Sequence, residues 1–302
     1  MIINSAISST KDNSIHNNNN KKKIFLSSKT NNTNSNSEIV NQTPKKEKII
    51  ISENTVYEGY IKDNKFEGYG EYHSPKYNYI GFYTSGKKNG KGKLEDLSEN
   101  SIYFGDFKDN MKDGFGEEKY KDGSIYKGQF KQNMKNGNGK LILAGGGRYE
   151  GIFKDDKICG KGKFKFNQKK YYIGDWNNNE ISGYGIIFEE NIKHIGYYEH
   201  NLKQGLGCTF YIEQKFGILG KWQNDFIEGN AILINMKNDN HNNKINLDNE
   251  IIVKMKRAEI IKMNLDEDEL IIFKRSKDYK DMTKLFYEKF YPDFINQIIS
   301  IK

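Results

Sequence analysis

The sequence predicts a mainly β fold: an elongated single-layer antiparallel sheet of stacked β-hairpins, with a short helical C-terminal region and a disordered N-terminal tail. Two observations lead to this prediction. All 29 glycines lie between Gly59 and Gly229, and they recur with a period of about 23 residues. Aromatic residues stand two positions before and two positions after the first glycine of most periods.

The glycine pattern is constant inside each unit and variable between units. A second glycine follows the first after nine residues, and a third follows after eleven, with Ala231 as the one exception in the third column. The distance between successive first glycines varies from 22 to 24 residues. Length therefore varies in the connections between units. The first glycines are Gly59, Gly81, Gly105, Gly128, Gly151, Gly174, Gly196 and Gly220.

Each unit reads as a β-hairpin. Steps of two place the aromatic residues and the first glycine on one face of a strand. Short polar segments such as Lys108-Asp109-Asn110 separate the two halves of a unit, and Asp and Asn are residues that readily adopt positive φ in tight turns. The eight predicted units cover residues 57–78, 79–102, 103–125, 126–148, 149–171, 172–193, 194–217 and 218–235, within a region that spans 51–235.

The residues of one unit carry a resemblance to a known family. Tyr126-Lys-Gly128-Gln-Phe130, followed by Gly137-Asn-Gly139-Lys-Leu141, resembles the MORN (membrane occupation and recognition nexus) repeat. The resemblance implies a non-enzymatic scaffold, because members of this family are linked to cytoskeletal and flagellar structures, anionic lipids and homodimers. Five positions depart from the pattern, namely Glu118, His194, Thr209, Ile218 and Ala231.

The aromatic face is the predicted partner-binding surface. Glycine has no Cβ and leaves a trough in which a ring can lie flat on the sheet. A single sheet has no second layer, so we expect this face to stay partly open and to meet a protein partner. The alternative is that the rings pack only on one another and on glycine. The residues predicted to contact a partner are Tyr79, Tyr103, Tyr126, Tyr149, Tyr172, Phe107, Phe130, Phe153 and Trp176.

Lysines before the turns offer a second kind of surface. Lys62, Lys108, Lys131 and Lys154 recur at equivalent positions and suit contact with anionic lipid headgroups, including phosphoinositides. The alternative is that they are solvated turn residues, since acidic residues stand beside them. Residues 1–50 are rich in Asn and Lys and are predicted to be disordered. This tail is either a basic arm for acidic surfaces or a low-complexity extension.

The C-terminal part is predicted to be a linker over 236–250 and a helical region over 251–302. We expect helices over Ile251–Met263 and up to Pro292, where apolar residues from Tyr279 to Phe290 fall at helical steps, and a final short helix from Phe294. The acidic residues Asp266 to Glu269 would cap the second of these segments. The helices either cap the last repeat or bind a partner or a second copy.

The sequence offers no chemistry for catalysis. The Gly-x-Gly-Lys segments lack the Ser or Thr and the spacing of a phosphate-binding loop, and the five histidines and two cysteines follow no metal-ligand spacing. We therefore expect no enzyme activity, no cofactor and no metal. The repeats are only weakly basic, so no nucleic-acid partner is expected.

The expected location is the cytoplasm, in association with a cytoskeleton or a membrane, because no segment of the chain has the apolar length of a membrane span. Two functions remain open at this point. One is a scaffold or adaptor for protein partners in a cytoskeletal, ciliary, flagellar or cortical assembly. The other is a peripheral membrane module for anionic phosphoinositides. Open sheet edges also allow a homodimer.

Overall fold

The structure is a computed structural model that describes residues 43–235, 251–256, 259–263, 277–290 and Pro292. The described strands form one antiparallel meander in which each strand pairs with its neighbours in the chain. This confirms the predicted fold class. The seventeen consecutive strands of the repeat region span roughly 80 Å at the usual spacing of about 4.8 Å.

Two strands make up each repeat, with one additional strand before the first repeat and a hairpin after the last. The strands are β1 Lys45–Ser52, β2 Thr55–Lys62, β3 Lys65–His73, β4 Tyr77–Thr84, β5 Lys87–Asp96, β6 Ser101–Lys108, β7 Met111–Lys119, β8 Ile125–Lys131, β9 Met134–Ile142, β10 Arg148–Lys154, β11 Lys157–Lys165, β12 Lys170–Asn177, β13 Glu180–Glu189, β14 Ile192–Glu199, β15 Leu202–Tyr211, β16 Phe216–Gln223, β17 Phe226–Asn235, β18 Ile251–Lys256 and β19 Glu259–Met263. A helix, α1, covers Lys277–Leu285 and continues as a π-helical turn over Phe286–Phe290.

Two-residue turns close the hairpins. Both central residues have positive φ, as in Asp109 (49°) and Asn110 (72°), which is the geometry of a type I′ turn. The second turn residue also joins its hairpin to the preceding one. The Asn110 Oδ1 atom accepts the Lys88 backbone N–H at 2.8 Å, and the Asn110 N–H donates to the Lys88 carbonyl at 3.0 Å. Equivalent pairs join five later turns to the repeat before them.

A bulge shapes each hairpin beside the turn. The strand register shifts between the first glycine and the aromatic residue two positions later, as between Gly128 and Phe130. The second glycine of each repeat lies opposite this shift and has positive φ in all eight repeats, for example 94° at Gly137. Glycine is selected at this position because side-chain-bearing residues rarely adopt that conformation.

The sheet has two faces with separate cores. One core runs along the face that carries the aromatic columns, from repeat 1 to repeat 7. The second core lies on the opposite face over repeats 6 to 8, where Met282, Phe286 and Phe290 of the C-terminal helix pack against the strands. We call the first face the ladder face and the second the outer face.

Two predictions about the ends of the repeat region are corrected by the strand assignments. Residues 45–50 were predicted to be part of a disordered tail, but they form strand β1, which pairs with β2. The predicted helix over Ile251–Met263 is wrong, because these residues form the β18–β19 hairpin and extend the sheet edge. The branched residues Ile251, Ile252 and Val253 favour this strand conformation.

The predicted helix before Pro292 is confirmed by α1 and the π-helical turn. The predicted tail up to residue 42, the cap at Asp266 to Glu269 and the last helix from Phe294 lie outside the described residues.

The bulge geometry predicts that Gly137→Ala destabilises the chain by about 1–2 kcal/mol, the cost of a left-handed backbone for a side-chain-bearing residue. The added Cβ would also meet the Gln129 side chain. Gly145→Ala is the matched control, because its Cβ meets no heavy atom within 4 Å and its φ is not positive. Thermal unfolding followed by circular dichroism measures both variants, and equal melting temperatures would contradict this account of the second glycine.

Candidate interaction surfaces

The unit of the ladder face is a tyrosine ring that lies over two glycines. In repeat 4 the Tyr126 ring covers Gly128 on its own strand and Gly139 on the next strand. A Cβ on Gly139 would overlap the Tyr126 hydroxyl oxygen, so no other residue fits beneath the ring. The Tyr126 hydroxyl donates to the Gln129 carbonyl at 2.9 Å, which explains why tyrosine is used here instead of phenylalanine.

The same arrangement occurs in the first six repeats. Each of the six tyrosines donates to the carbonyl of the third residue after it, at 2.9–3.2 Å. Burial raises the pKa of these phenols, to about 12 for Tyr57, so they remain neutral donors at physiological pH.

The rings form one continuous series, which we call the aromatic ladder. Each ring of the first column contacts the second-column ring of the next repeat and, from repeat 2 onward, that of its own repeat. The centroids are 4.8–5.6 Å apart and the planes 80–90° apart. This edge-to-face geometry is favourable for aromatic pairs. The first column is Tyr57, Tyr79, Tyr103, Tyr126, Tyr149, Tyr172 and His194; the second is Tyr83, Phe107, Phe130, Phe153, Trp176, Tyr198 and Trp222.

The ladder is buried, so the expectation of an open aromatic strip is wrong. All nine residues predicted to contact a partner are at most 4% exposed. Glycine lies beneath each tyrosine ring and neighbouring rings lie at its edges, while long side chains cover the remainder. The Lys112 ammonium, for instance, lies 5.2 Å from the centroid of the Tyr103 ring. The alternative, in which the rings pack on one another, describes the folded chain. The nine residues are Tyr79, Tyr103, Tyr126, Tyr149, Tyr172, Phe107, Phe130, Phe153 and Trp176.

The departures from the repeat pattern are paired or compensated. Glu118 is buried in a slot that is usually apolar, and it forms an ion pair with Lys112 and accepts the Tyr120 hydroxyl at 3.0 Å. In the last repeat, where Ile218 replaces tyrosine, the space over Gly220 is filled by Ile227. These compensations keep the ladder face closed without the full set of tyrosines.

His194 and Thr209 form a further compensating pair in repeat 7. The His194 ring is fully buried, and its Nδ1 atom lies 2.7 Å from the Thr209 hydroxyl. Its Nε2 atom has no hydrogen-bond partner in the described part of the chain, because the imidazole is shorter than a tyrosine and does not reach the carbonyl that a phenol would meet. Burial lowers the pKa of His194, with a smaller contribution from the positive charge of Lys203.

The four lysines predicted to meet lipid headgroups lie beside the turns. Lys108, Lys131 and Lys154 are exposed and Lys62 is half-buried. Within the residues that the structure describes, none of the four has a carboxylate oxygen within 4 Å of its ammonium group. The acid of the adjacent turn, Asp109, pairs instead with Lys87 at 2.8 Å, and this hydrogen bond lowers the pKa of Asp109.

The outer face carries exposed aromatic residues that the sequence analysis missed. The α1 helix and the turn after it cover this face over repeats 6 to 8, whereas over repeats 1 to 3 five aromatic side chains are 42–58% exposed. The signal was present on the opposite parity from the tyrosine columns: four of these residues directly follow a first or second glycine, and the fifth, Phe104, directly precedes the first glycine of repeat 3. The exposed residues are Tyr60, Tyr69, Phe82, Phe104 and Phe115.

Comparison with known families agrees with this geometry. The family model of the MORN repeat matches residues 57–78, 79–96, 103–125, 126–148, 149–169 and 172–187. Repeats 1 to 6 are MORN repeats. The matches end in repeat 6, yet strands β14 to β17 continue the same pairing, with Gly196 opposite Gly207 and Gly207 opposite Gly220. Repeats 7 and 8 therefore continue the hairpin pattern of the matched repeats, with His194 and Ile218 in the tyrosine column.

Other comparisons add little to the MORN assignment. A search of curated proteins finds no match. Among solved structures, the chain is similar to the TCP domain of SAS-4 (dCPAP) from Drosophila melanogaster, solved in complex with a proline-rich motif of Ana2 (dSTIL). The identity is 11%, the match covers 52% of this chain and 90% of that chain, and the TM-score is 0.27.

The described part of the chain contains neither a cluster of metal-ligating side chains nor a helix that could span a bilayer. No group of three or more His, Cys, Asp or Glu side chains there could hold a metal ion. No helix within residues 43–235, 251–256, 259–263 and 277–290 is both long and apolar enough to cross a bilayer.

The buried His194 predicts a loss of stability in acid. Its pKa in the folded chain lies below the usual 6.5, so the folded state favours neutral imidazole, and stability falls as the pH drops below about 6.5. Between pH 7 and pH 5 the free energy of unfolding of the natural chain should fall by on the order of 1 kcal/mol because of His194. The variant His194→Tyr/Thr209→Leu restores the repeat pattern and should not show this fall. Urea unfolding at both pH values measures this.

The control for this experiment is His73→Gln, because the His73 side chain is half exposed and lies outside the ladder. This variant should keep the acid sensitivity of the natural chain. An equal acid loss in the natural chain and in the double variant would show that His194 is not its source.

Proposed function

We propose that this MORN repeat protein is a non-catalytic scaffold that holds protein partners in a cytoskeletal, ciliary, flagellar or cortical assembly. The observation that supports the proposal is that one face of the sheet is closed and the other exposes apolar side chains. The ladder face is closed by its own rings, and the outer face over repeats 1 to 3 leaves large apolar side chains in water. Exposed aromatic groups gathered on one face are typical of protein interaction sites.

The ladder also suits the chain to hold partners at fixed separations. Each ring is shared between two repeats, and each turn is hydrogen-bonded to the repeat before it. Such a ribbon resists bending between repeats, because a bend would break several of these contacts at once. A ribbon roughly 80 Å long therefore supplies spaced attachment points on one rigid body.

Proximity labelling in the native cell tests the scaffold. The full chain should label a specific set of neighbours that is enriched in cytoskeletal proteins. The variant Gly128→Val/Gly139→Val should lose these neighbours, because both added side chains meet the Tyr126 ring. Gly145→Ala is the control that should keep them. A neighbour set that is the same in the double glycine variant, or one without cytoskeletal proteins, would contradict the proposal.

A second function is supported by the turn lysines. Lys108, Lys131 and Lys154 stand on successive hairpins, about 10 Å apart at the usual strand spacing. They are exposed and form no ion pair among the described residues, which leaves their charges available to the phosphates of phosphoinositides. Each lysine near an anionic surface contributes about 1 kcal/mol. We propose this contact as the alternative function.

Co-sedimentation with vesicles that contain phosphatidylinositol bisphosphate tests the alternative. Changing Lys108, Lys131 and Lys154 to Glu should weaken binding on the order of 100-fold if the three contributions add. The control changes three outer-face lysines that already pair with acids, Lys127, Lys140 and Lys161, to Glu. If both triple variants lose vesicle binding equally, the binding depends on net charge and not on the turn lysines. If the natural chain does not bind the vesicles at low salt, lipid contact is excluded.

A further inference from the structure

The outer face carries cross-strand pairs at one equivalent position between successive repeats. Each pair joins the residue after the second glycine of one repeat to the residue after the first glycine of the next. Two of these pairs are ion pairs, Lys91 with Asp106 and Lys161 with Asp175. Two are aromatic pairs, and they lie near opposite ends of the array. The aromatic pairs are Tyr69 with Phe82 and Tyr184 with Tyr197.

The two aromatic pairs have nearly the same geometry. The ring centroids of Tyr69 and Phe82 are 5.8 Å apart with planes at 75°. The centroids of Tyr184 and Tyr197 are 5.6 Å apart with planes at 62°. Because the backbone repeats, each pair presents its rings from the same position on two neighbouring strands. The two pairs are therefore equivalent surfaces.

One of these surfaces is occupied by the chain itself. The Lys289 ammonium lies 3.6 Å from the centroid of the Tyr184 ring and 5.0 Å from that of Tyr197, and it donates to the Tyr197 hydroxyl at 3.3 Å. The Phe290 ring is parallel to the Tyr184 ring, with centroids 6.1 Å apart. A lysine and a phenylalanine at the end of a helix thus recognise the aromatic pair through cation–π and stacking contacts.

The other surface is uncovered in the described part of the chain. Tyr69 is 45% exposed and Phe82 is 48% exposed. Two carboxylates beside them, Glu58 and Glu71, face each other directly across strands β2 and β3, an arrangement that is unfavourable between like charges. Lys46 and His73 lie within 4 Å of these acids, but both acids remain about half exposed. A cation delivered here would relieve the repulsion.

We propose that the Tyr69–Phe82 pair binds an amphipathic helix of another protein, one that carries a Lys or Arg next to an aromatic residue. The proposal rests on the scaffold function and names the chemistry of one partner. The helix of a second copy is not the occupant, because Met282, Phe286 and Phe290 are at most 1% exposed against their own repeats. A basic residue suits both the aromatic rings and the facing carboxylates.

A stapled peptide tests this site. The probe is residues 277–290 of this chain, with a hydrocarbon staple between positions 280 and 284, which are exposed on the helix. Calorimetric titration into the full chain should give one site per chain. Tyr69→Ser/Phe82→Ser should weaken binding at least about tenfold, because both the stacking and the cation–π contacts are lost. A peptide with Lys289→Gln and Phe290→Ser should lose affinity equally.

Two controls define the site. Phe115→Ser removes an exposed aromatic side chain of the same face outside the pair, and it should leave peptide binding unchanged. Phe286→Asp/Phe290→Asp removes the anchors of the chain's own helix, so this variant should bind two peptides. Binding to this variant alone would mean that only the Tyr184–Tyr197 surface takes a helix, and the proposal would be overturned.

Three further outcomes would also overturn the proposal. They are equal affinity for the natural chain and Tyr69→Ser/Phe82→Ser, no binding at about 1 mM peptide, and self-association of the full chain that the same double variant abolishes. The last would assign the surface to a second copy. If the neighbours labelled around the natural chain persist in cells that carry Tyr69→Ser/Phe82→Ser, the scaffold function stands and only the proposed helical partner is excluded.

Discussion

The contact between a tyrosine ring and two glycines is the interaction on which the whole array depends. The ring needs the absence of two Cβ atoms on adjacent strands, and its hydroxyl needs a backbone carbonyl three residues further on. When the two glycines and the carbonyl acceptor are present, a single-layer sheet can bury large side chains without a second layer. Over most of the repeats, the outer face therefore does not need to form a hydrophobic core.

Much of this fold follows from the sequence because its rules are local. The spacing of Gly128, Gly137 and Gly139 predicts the hairpin. Gly128 and Gly139, which lie beneath the tyrosine ring, accept no side chain. The turn residues are equally informative, since Asp109 and Asn110 suit positive φ. What failed was the inference from a single layer to an open face. It neglected that rings in adjacent repeats cover one another at 5.0 Å.

The ends of the array were harder to predict because non-local pairing decides them. Residues 45–50 read as a polar tail, and only the free edge of β2 makes them a strand. The apolar residues from Ile251 fit a helix by periodicity, but the open edge of β17 offers hydrogen bonds that favour a hairpin. The exposed aromatic residues of the outer face were not predicted because each of their positions is aromatic in only some of the repeats; the positions equivalent to Tyr69 and Phe82, for example, hold Lys91 and Asp106 in the next pair.

The sharing of each ladder ring between two repeats has a consequence for how the ribbon breaks. In a linear array with nearest-neighbour coupling, each repeat is stable only through its two flanking interfaces. The loss of one internal ring uncouples the chain into two shorter segments, and each segment then melts according to its own length. The segment from repeat 7 onward, where His194 and Ile218 occupy the tyrosine positions, retains the C-terminal helix as a second support on the outer face. Unravelling under load would therefore start near the N-terminal edge, where no helix packs on the outer face among the described residues.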